Sequence, residues 1–250
     1  MIHKEYEYVK MAEVEDDLWW YRCLHGLVRM SIEKHFKDSD IKIVDAGCGT
    51  GGMMRYLSDR GYRKIQGFDI SEHAIRICSA SGLDVFRDDI GKFALHFPPE
   101  SLNVIICNDI FCYLDEKERR DRINDFASSL RSGGIVLMNL PAYDFFGGIH
   151  DLAVGIKHRF NRNDVAGMFD GGMFHVKSIL WPCAISPLIY VVRLFQRLEL
   201  RYKKNVIVRS DIDMPPKWIN ELLFAIVSAE NRLFPWRPLG SSLYVVAQKN

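Results

Sequence analysis

Short apolar runs alternate with amphipathic stretches along most of the chain. The apolar runs predict strands and the amphipathic stretches predict helices. The predicted strands lie near 41–45, 64–69, 83–87, 103–107 and 134–140, and the helices near 51–60, 72–81 and 115–130. Residues 5–36, which contain no proline, predict one or two further helices ahead of the first strand. This alternation is typical of a doubly wound α/β fold with a mostly parallel sheet.

A glycine-rich loop follows the first predicted strand, within residues 43–52. Gly47 and Gly49 can adopt positive φ angles and leave the main chain open to a ligand. With Gly52 they also match a dinucleotide fingerprint, in which a pyrophosphate binds the N-terminus of the next helix. Asp45 argues against that interpretation, because its carboxylate would repel a pyrophosphate and attract a cation.

Polar residues follow the next three predicted strands as well. Asp69 ends the second strand, close to the roughly 20-residue offset that separates a nucleotide-binding loop from its ribose acid. The third strand runs into Asp88 and Asp89, and the fourth into Asn108 and Asp109. The sequence therefore predicts a ligand site along one edge of the sheet.

The motif Asp45-x-Gly47-x-Gly49-x-Gly51 resembles motif I of the class I S-adenosylmethionine-dependent methyltransferases. The cofactor of that family carries a sulfonium and an α-ammonium group but no phosphate, which agrees with the charge of Asp45. The resemblance implies a Rossmann-like sheet of seven strands that closes with an antiparallel pair, for which Phe174–Leu180 and Ser242–Ala247 are candidates.

The resemblance also implies roles for individual residues. The methionine end of S-adenosylmethionine would be held by Asp45, Gly47, Cys48 and Gly49. The ribose would be held by Asp69 and Ile70, and the adenine by Asp89 and Ile90, with Asp88 as the alternative acid. Asn108 would form the floor beneath the cofactor.

The segment from Leu18 to Arg22 contains two adjacent tryptophans, which cannot both face one stripe of a helix. It is similar to N-terminal helices that cover the cofactor in related methyltransferases. We therefore predict that Tyr21 and Arg22 lie near the methionine carboxylate; the alternative is aromatic packing at the domain edge with Arg22 on the surface. The predicted organisation is an N-terminal helical lid at 1–40, a cofactor-binding core at 41–180, a helical cap insertion at 181–241 and a last core strand at 242–250.

Two histidines follow the fifth predicted strand, where substrates bind in sheets of this kind. His150 precedes an aspartate and His158 precedes an arginine, and similar segments occur in methyltransferases of sugar and lipid-linked glycan pathways. His150 and His158 are therefore candidate general bases. The alternatives are helix caps or packed imidazoles, and methyl transfer driven by alignment alone needs no base.

Composition excludes several other functions. A net charge of +1 in 250 residues disfavours nucleic-acid binding, which requires clustered lysine and arginine. The six cysteines lack the Cys-x-x-Cys spacing of a zinc site and predict reduced, packed thiols, so we expect no metal. The N-terminus has no basic-then-apolar leader, which predicts a cytoplasmic protein.

Residues 185–204 form an amphipathic segment that is too short and too interrupted to span a bilayer. One helical face carries apolar residues: Leu188, Val191, Val192, Phe195 and Leu198. Basic residues follow at Arg201, Lys203 and Lys204. The pattern predicts packing on the same domain or on a partner subunit, as in a homodimer, with peripheral membrane contact or cover for a greasy substrate as the alternatives.

The sequence thus predicts a methyltransferase that acts on a hydroxyl or amine of a small or amphiphilic molecule. Sugars, lipid-linked intermediates and secondary metabolites are candidate acceptors. Two alternatives remain: an NAD(P)-dependent oxidoreductase and a non-catalytic accessory protein that binds S-adenosylmethionine.

Overall fold

A computed structural model describes residues 5–202, 210–234 and 236–250 of the chain. Seven strands form one sheet in the order β3-β2-β1-β4-β5-β7-β6. They are β1 (Lys42–Ala46), β2 (Lys64–Asp69), β3 (Val85–Arg87), β4 (Leu102–Ile106), β5 (Leu130–Pro141), β6 (Phe174–Trp181) and β7 (Ser242–Lys249). Only β7 runs antiparallel to its neighbours, so the predicted doubly wound, mostly parallel sheet is confirmed.

Ten α-helices surround this sheet in the described part of the chain. They are α1 (Glu5–Val14), α2 (Trp19–His35), α3 (Gly52–Ser58), α4 (Glu72–Ala80), α5 (Phe93–His96), α6 (Glu116–Ser129), α7 (Ile149–Val154), α8 (Arg162–Met168), α9 (Ser186–Tyr202) and α10 (Lys217–Leu233). Short 3-10 turns lie at Ile90–Lys92, Phe111–Tyr113 and Asp144–Phe146. The division into four segments stays a prediction.

Alternating side chains of β5 build a core on each side of the sheet. Val136 and Met138 belong to the cluster that packs under α5 and α6. Ile135 and Leu137 belong to the opposite cluster, under α2 and α3. Since successive residues of a strand point to opposite faces, one buried strand supplies both cores. β5 begins at Leu130, earlier than predicted, because Leu130 pairs with Leu102 ahead of a shift in register.

A capping box fixes the start of α6. The Asp115 carboxylate accepts a hydrogen bond from the Glu118 backbone N–H at 2.8 Å, and the Glu118 carboxylate accepts one from the Asp115 backbone N–H at 2.7 Å. We expect Asp115→Ala to lower the free energy of unfolding by about 1 kcal/mol, measured by urea denaturation. The exposed Lys117→Ala is the control, and an equal loss in both variants would contradict the capping role.

The two C-terminal helices attach to the body in different ways. α10 packs on α2, where the Asn220 side chain accepts from the Trp19 N–H and donates to the Asp17 carbonyl, both at 2.9 Å. α9 packs on α7 and on the 3-10 turn at Asp144–Phe146. The path between α9 and α10, including Lys203 and Lys204, lies outside the described residues.

The apolar stripe of α9 is exposed, contrary to the prediction that it packs on its own domain. Leu188 and Phe195 are 62% and 66% exposed, and the stripe residues between them are exposed as well. The opposite, polar face bonds to the body, where Arg197 donates to the Phe145 carbonyl and Gln196 accepts from the Ile149 N–H. Among the described helices, none is long and apolar enough to cross a bilayer.

Candidate cofactor and acceptor site

A cavity of about 570 Å³ opens at the carboxyl ends of β1, β2, β4 and β5. Most of the residues predicted from the sequence line it: Tyr21, Asp45, Gly47, Cys48, Gly49, Asp69, Ile70, Asp89, Ile90, Asn108 and His150. Arg22 and His158 do not. Residues from distant parts of the chain thus meet at the edge of the sheet, as the order of the motifs predicts.

The glycine loop is held against β2 and leaves little space for side chains. The backbone N–H groups of Gly47 and Cys48 donate to the Phe68 carbonyl at 2.8 and 3.0 Å. Gly47 has a φ of +84°, and a Cβ there would come within 2.3 Å of the Ile110 side chain. A side chain at Gly47 is therefore excluded by both backbone conformation and space.

Asp45 is a buried carboxylate, and among the described residues it has no hydrogen bond or ion pair. Burial, followed by the nearby carboxylates of Glu15 and Asp69, raises the pKa of Asp45 to about 7. A buried acid without a partner is costly, since the ionised form loses its hydration. The carboxylate is therefore suited to a cationic ligand in the cavity.

Asp69 joins the end of β2 to the glycine loop. One oxygen accepts from the Gly49 N–H at 3.1 Å, and the other accepts from the Ser71 N–H at 2.8 Å. Burial raises the pKa of Asp69, whereas these N–H donors and the hydroxyl of Tyr8 lower it. The carboxylate is thus held in one orientation at the cavity wall.

Asp88 and Asp89 differ in what they bind. Asp88 pairs with Lys92 at 2.9 Å and with His96 at 2.7 Å, and these partners hold its pKa well below its usual range. One oxygen of Asp89 accepts from the Gly91 N–H at 2.7 Å. Among the described residues, no hydrogen bond reaches the second oxygen of Asp89, which leaves it for a ligand and favours Asp89 over the alternative acid.

A hydrogen-bonded chain lies below the end of β4. The Asn139 amide donates to both oxygens of Asp109, at 2.9 and 3.1 Å, while its carbonyl accepts from the indole N–H of Trp181 at 2.9 Å. Asn108 accepts from the Asn139 backbone N–H at 2.9 Å. Asp109 has a φ of +56°, which is uncommon for a residue with a side chain. The sequence analysis quoted Asp109 beside Asn108 but gave it no role.

The N-terminal helices cover the cavity, but Arg22 does not reach into it. Trp20 stacks on Trp181 with ring centroids 5.6 Å apart, and the half-buried Tyr21 lines the cavity. Arg22 pairs with Glu221 at 2.7 Å and lies 3.7 Å above the ring of Phe224. Arg22 thus pairs with α10 outside the cavity lining, and its predicted placement near the methionine carboxylate gains no support from the structure.

The two candidate histidines lie in different places. His150 lines the cavity and its Nδ1 accepts from the Asp211 N–H at 3.1 Å, while burial lowers its pKa. Its proton is therefore on Nε2, which makes that nitrogen a donor and not a base. His158 lies outside the cavity, with Nε2 3.8 Å from Asp164. The structure gives no support to His158 as a base, because Arg159 lines the cavity and Phe160 packs in the core, whereas His158 does neither.

Two arginines that the sequence analysis did not assign also line the cavity. Arg159 makes a bidentate ion pair with Asp151, with both N–O distances 2.7 Å. Arg193 of α9 pairs with Asp211. Arg159 could have been identified from the sequence, since it is adjacent to the candidate base His158. Arg193 could not, because its direction depends on how α9 packs on the rest of the protein.

Residues 43–134 match a family model described as a methyltransferase domain. Malonyl-[acyl-carrier protein] O-methyltransferase from Halalkalibacterium halodurans is 27% identical over 139 residues, which make up 52% of this chain and 51% of that protein. An S-adenosylmethionine-dependent methyltransferase from Mesorhizobium loti superposes with a TM-score of 0.59 at 16% identity, over 94% of this chain and 100% of the other. Phosphoethanolamine N-methyltransferase 2 from Haemonchus contortus, solved with S-adenosyl-L-methionine, superposes with a TM-score of 0.55 at 14% identity, over 88% and 51%.

The sheet order, the glycine loop and the family match define a class of protein together. Residues 43–134 match a methyltransferase domain, and the chain has the fold of the class I S-adenosylmethionine-dependent methyltransferases, whose cofactor is S-adenosylmethionine. The resemblance drawn from the motifs is confirmed. The chain spans about half the length of the curated relatives it matches.

Proposed function

We propose that the protein transfers the methyl group of S-adenosylmethionine to a hydroxyl or amine of a small or amphiphilic molecule. The observation that carries this proposal is Asp45, a buried carboxylate without a protein partner among the described residues, beside a loop in which Gly47 has a positive φ and no room for a Cβ. It favours a donor with an ammonium group and disfavours a pyrophosphate. S-adenosylmethionine supplies an electrophilic methyl group when bound.

The proposed cofactor contacts follow the cavity wall. The carboxylate of Asp45 pairs with the α-ammonium, and the fixed oxygens of Asp69 accept from the ribose hydroxyls. The free oxygen of Asp89 accepts from the adenine amino group. The remaining contacts are made by Tyr21, Gly47, Cys48, Gly49, Ile70, Ile90 and Asn108, all of which line the cavity.

The far side of the cavity supports an amphiphilic acceptor. Its wall is mostly apolar and includes Phe146, Val154, Ile189 and Ile212. The few polar groups there include the paired Arg159 and the Nε2–H of His150. A ligand with an apolar tail and one polar head suits such a wall, since a few polar groups then fix its orientation.

Calorimetry with the unmodified protein tests the cofactor. We expect heat on titration with S-adenosylhomocysteine and none with NADH or NADPH. The reverse result would favour the oxidoreductase and overturn the proposal. Binding of S-adenosylhomocysteine without turnover of any acceptor would favour the accessory protein.

A panel of three amphiphiles with the same eight-carbon tail tests the acceptor. The probes are octyl glucoside, octylamine and octanoate, each incubated with methyl-labelled S-adenosylmethionine. One relative is named as an O-methyltransferase and one structural neighbour as an N-methyltransferase, so the panel includes both acceptor atoms. We expect label on octyl glucoside or octylamine and none on octanoate.

The exposed stripe of α9 supports contact with an anionic lipid surface. Leucine, valine and phenylalanine side chains point away from the body, and Arg201 follows in the last turn of the helix. Trp218 on α10 is exposed as well. An apolar face with aromatic residues and flanking basic charge is typical of helices that lie in a membrane interface. The same helix lines the cavity through Ile189 and Arg193, which supports the entry of an amphiphile from the lipid side.

Vesicle co-sedimentation checks this contact. We expect the full chain to bind vesicles that contain phosphatidylglycerol, and the double variant Leu188→Asp, Phe195→Asp to bind at least about tenfold more weakly. The control is Leu95→Asp, which places the same charge at a leucine that is 80% exposed on α5. Equal binding by both variants, or a dimer in sedimentation velocity that the double variant dissociates, would contradict the lipid contact. Homodimer formation and a cytoplasmic location otherwise stay predictions.

A further inference from the structure

Asp109 lies between the cofactor end and the acceptor end of the cavity. It follows β4, the strand that pairs with β1 and Asp45. Burial raises the pKa of the Cys107 thiol, and the negative charges of both Asp45 and Asp109 also raise it. On the other side, the guanidinium of Arg159 lowers the pKa of Asp109. A carboxylate thus lies in the cavity lining between the proposed cofactor contact Asp45 and Arg159 of the proposed acceptor wall.

The structure holds this carboxylate firmly. Both oxygens accept from the amide of Asn139, and the indole N–H of Trp181 fixes the orientation of that amide. Asn139 and Trp181 are fully buried, and Trp20 of α2 stacks on Trp181. A left-handed backbone at Asp109 is strained, and such strain is found mainly where function requires it.

We infer that Asp109 accepts the proton of the acceptor's nucleophile during methyl transfer, with Asn139 and Trp181 as its positioning residues. The inference rests on the proposed methyltransferase function. It assigns to Asp109 the role that the sequence analysis gave to His150 and His158, both of which the geometry disfavours.

The step balances without another reactant. The acceptor's oxygen or nitrogen forms a bond to the methyl carbon, the carbon–sulfur bond breaks, and its electron pair stays on sulfur. The proton of the O–H or N–H group passes to the Asp109 carboxylate and later to water. The acceptor class is therefore a group that carries a proton, and an ionised carboxylate, which has none, is repelled by Asp109.

The groups that face Asp109 come from several elements. Tyr21 of α2 and Tyr113 of the 3-10 turn at Phe111–Tyr113 have pKa values raised by burial and by the charge of Asp109. Cys112 donates its thiol to the Asp109 carbonyl at 3.2 Å. Burial raises the pKa of Asp109 more than the Asn139 amide and Arg159 lower it, and the net value is about 7. A carboxyl in this range exchanges a proton readily at neutral pH.

The test compares the intact protein with Asp109→Asn and Trp181→Phe. At saturating S-adenosylmethionine, where Asp45 is paired, we expect Asp109→Asn to lower kcat on the methylated amphiphile by at least about 100-fold and to remove the rise of kcat with pH near neutrality. Asparagine tolerates the left-handed backbone, so the variant should fold. Trp181→Phe frees the Asn139 amide, and because that amide stabilises the ionised form, the rise should move to higher pH. S-adenosylhomocysteine affinity should change by less than about threefold in both variants.

A measurement independent of turnover follows the carboxyl directly. In protein labelled with ¹³C at aspartate carboxyls, we expect a resonance that titrates near neutral pH and is absent from Asp109→Asn. Unchanged kcat in Asp109→Asn, or no such resonance, would overturn the inference while leaving methyl transfer in place. If the unmodified protein methylates no probe, the proposed function fails, and the titration alone then decides whether Asp109 can exchange a proton.

Discussion

Asp69→Asn is expected to weaken S-adenosylhomocysteine binding by about 10- to 150-fold, because a hydrogen bond to a charged acceptor contributes about 1.5–3 kcal/mol. The carboxylate is fixed by the N–H groups of Gly49 and Ser71, which orient both oxygens before the ligand arrives. An asparagine keeps the shape but replaces one acceptor oxygen with a donor, so a ribose hydroxyl loses its partner. Isothermal titration calorimetry gives the affinity.

The control for Asp69→Asn is Asp84→Asn, which makes the same change just before β3. Asp84 is exposed and receives the Gln66 side chain at 3.2 and 3.3 Å, outside the cavity lining. We expect its affinity to match that of the unmodified protein. If Asp69→Asn binds within about threefold of the control, Asp69 does not hold the ribose.

The cofactor half of the cavity can be predicted from the sequence because each acid or glycine that it needs comes directly after a strand. Parallel strands end at one edge of the sheet, so an acid or a glycine at the end of β1, β2 or β4 must face that edge whatever the rest of the chain does. Asp45, Asp69 and Asn108 are of this kind, and all three line the cavity. The positions of these acids and glycines can therefore be predicted without knowing how the helices pack.

The acceptor half depends on packing between elements that are distant in the chain, which no local pattern encodes. Arg22 belongs to a segment that resembles a lid, yet it forms an ion pair with Glu221 on α10. His158 and Arg159 are adjacent, and only the contact with Asp151 shows which one turns inward. Periodicity finds two faces of α9 but not which one meets the body. In α9 the polar face meets it, through Arg193, so the apolar face remains exposed.

Asp45→Asn is expected to change stability and binding in opposite directions. An unfolded aspartate titrates near 3.8, whereas burial beside Glu15 and Asp69 raises the pKa of Asp45 to about 7 in the folded protein. Between these values the folded protein keeps a proton that the unfolded chain releases. Its stability therefore falls as pH rises from about 4 to about 7, and the full loss remains at higher pH. A rise of this size corresponds to a penalty on the order of 4 kcal/mol.

The asparagine variant lacks this ionisation, so it should melt at a higher temperature than the unmodified protein at about pH 8.5 and at nearly the same temperature at about pH 4. Its affinity for S-adenosylhomocysteine should fall by at least about 100-fold, because the ligand's ammonium then lies buried without an anion. Thermal melts at both pH values and calorimetry at the higher one measure the two effects. If the variant gains no stability at high pH, the ionised Asp45 does not destabilise the folded protein. If the variant keeps its affinity for S-adenosylhomocysteine, the ammonium binds elsewhere. The unpaired charge of Asp45 lowers the stability of the folded protein, and binding of the cofactor's ammonium restores it. This exchange couples the stability of the fold to cofactor binding.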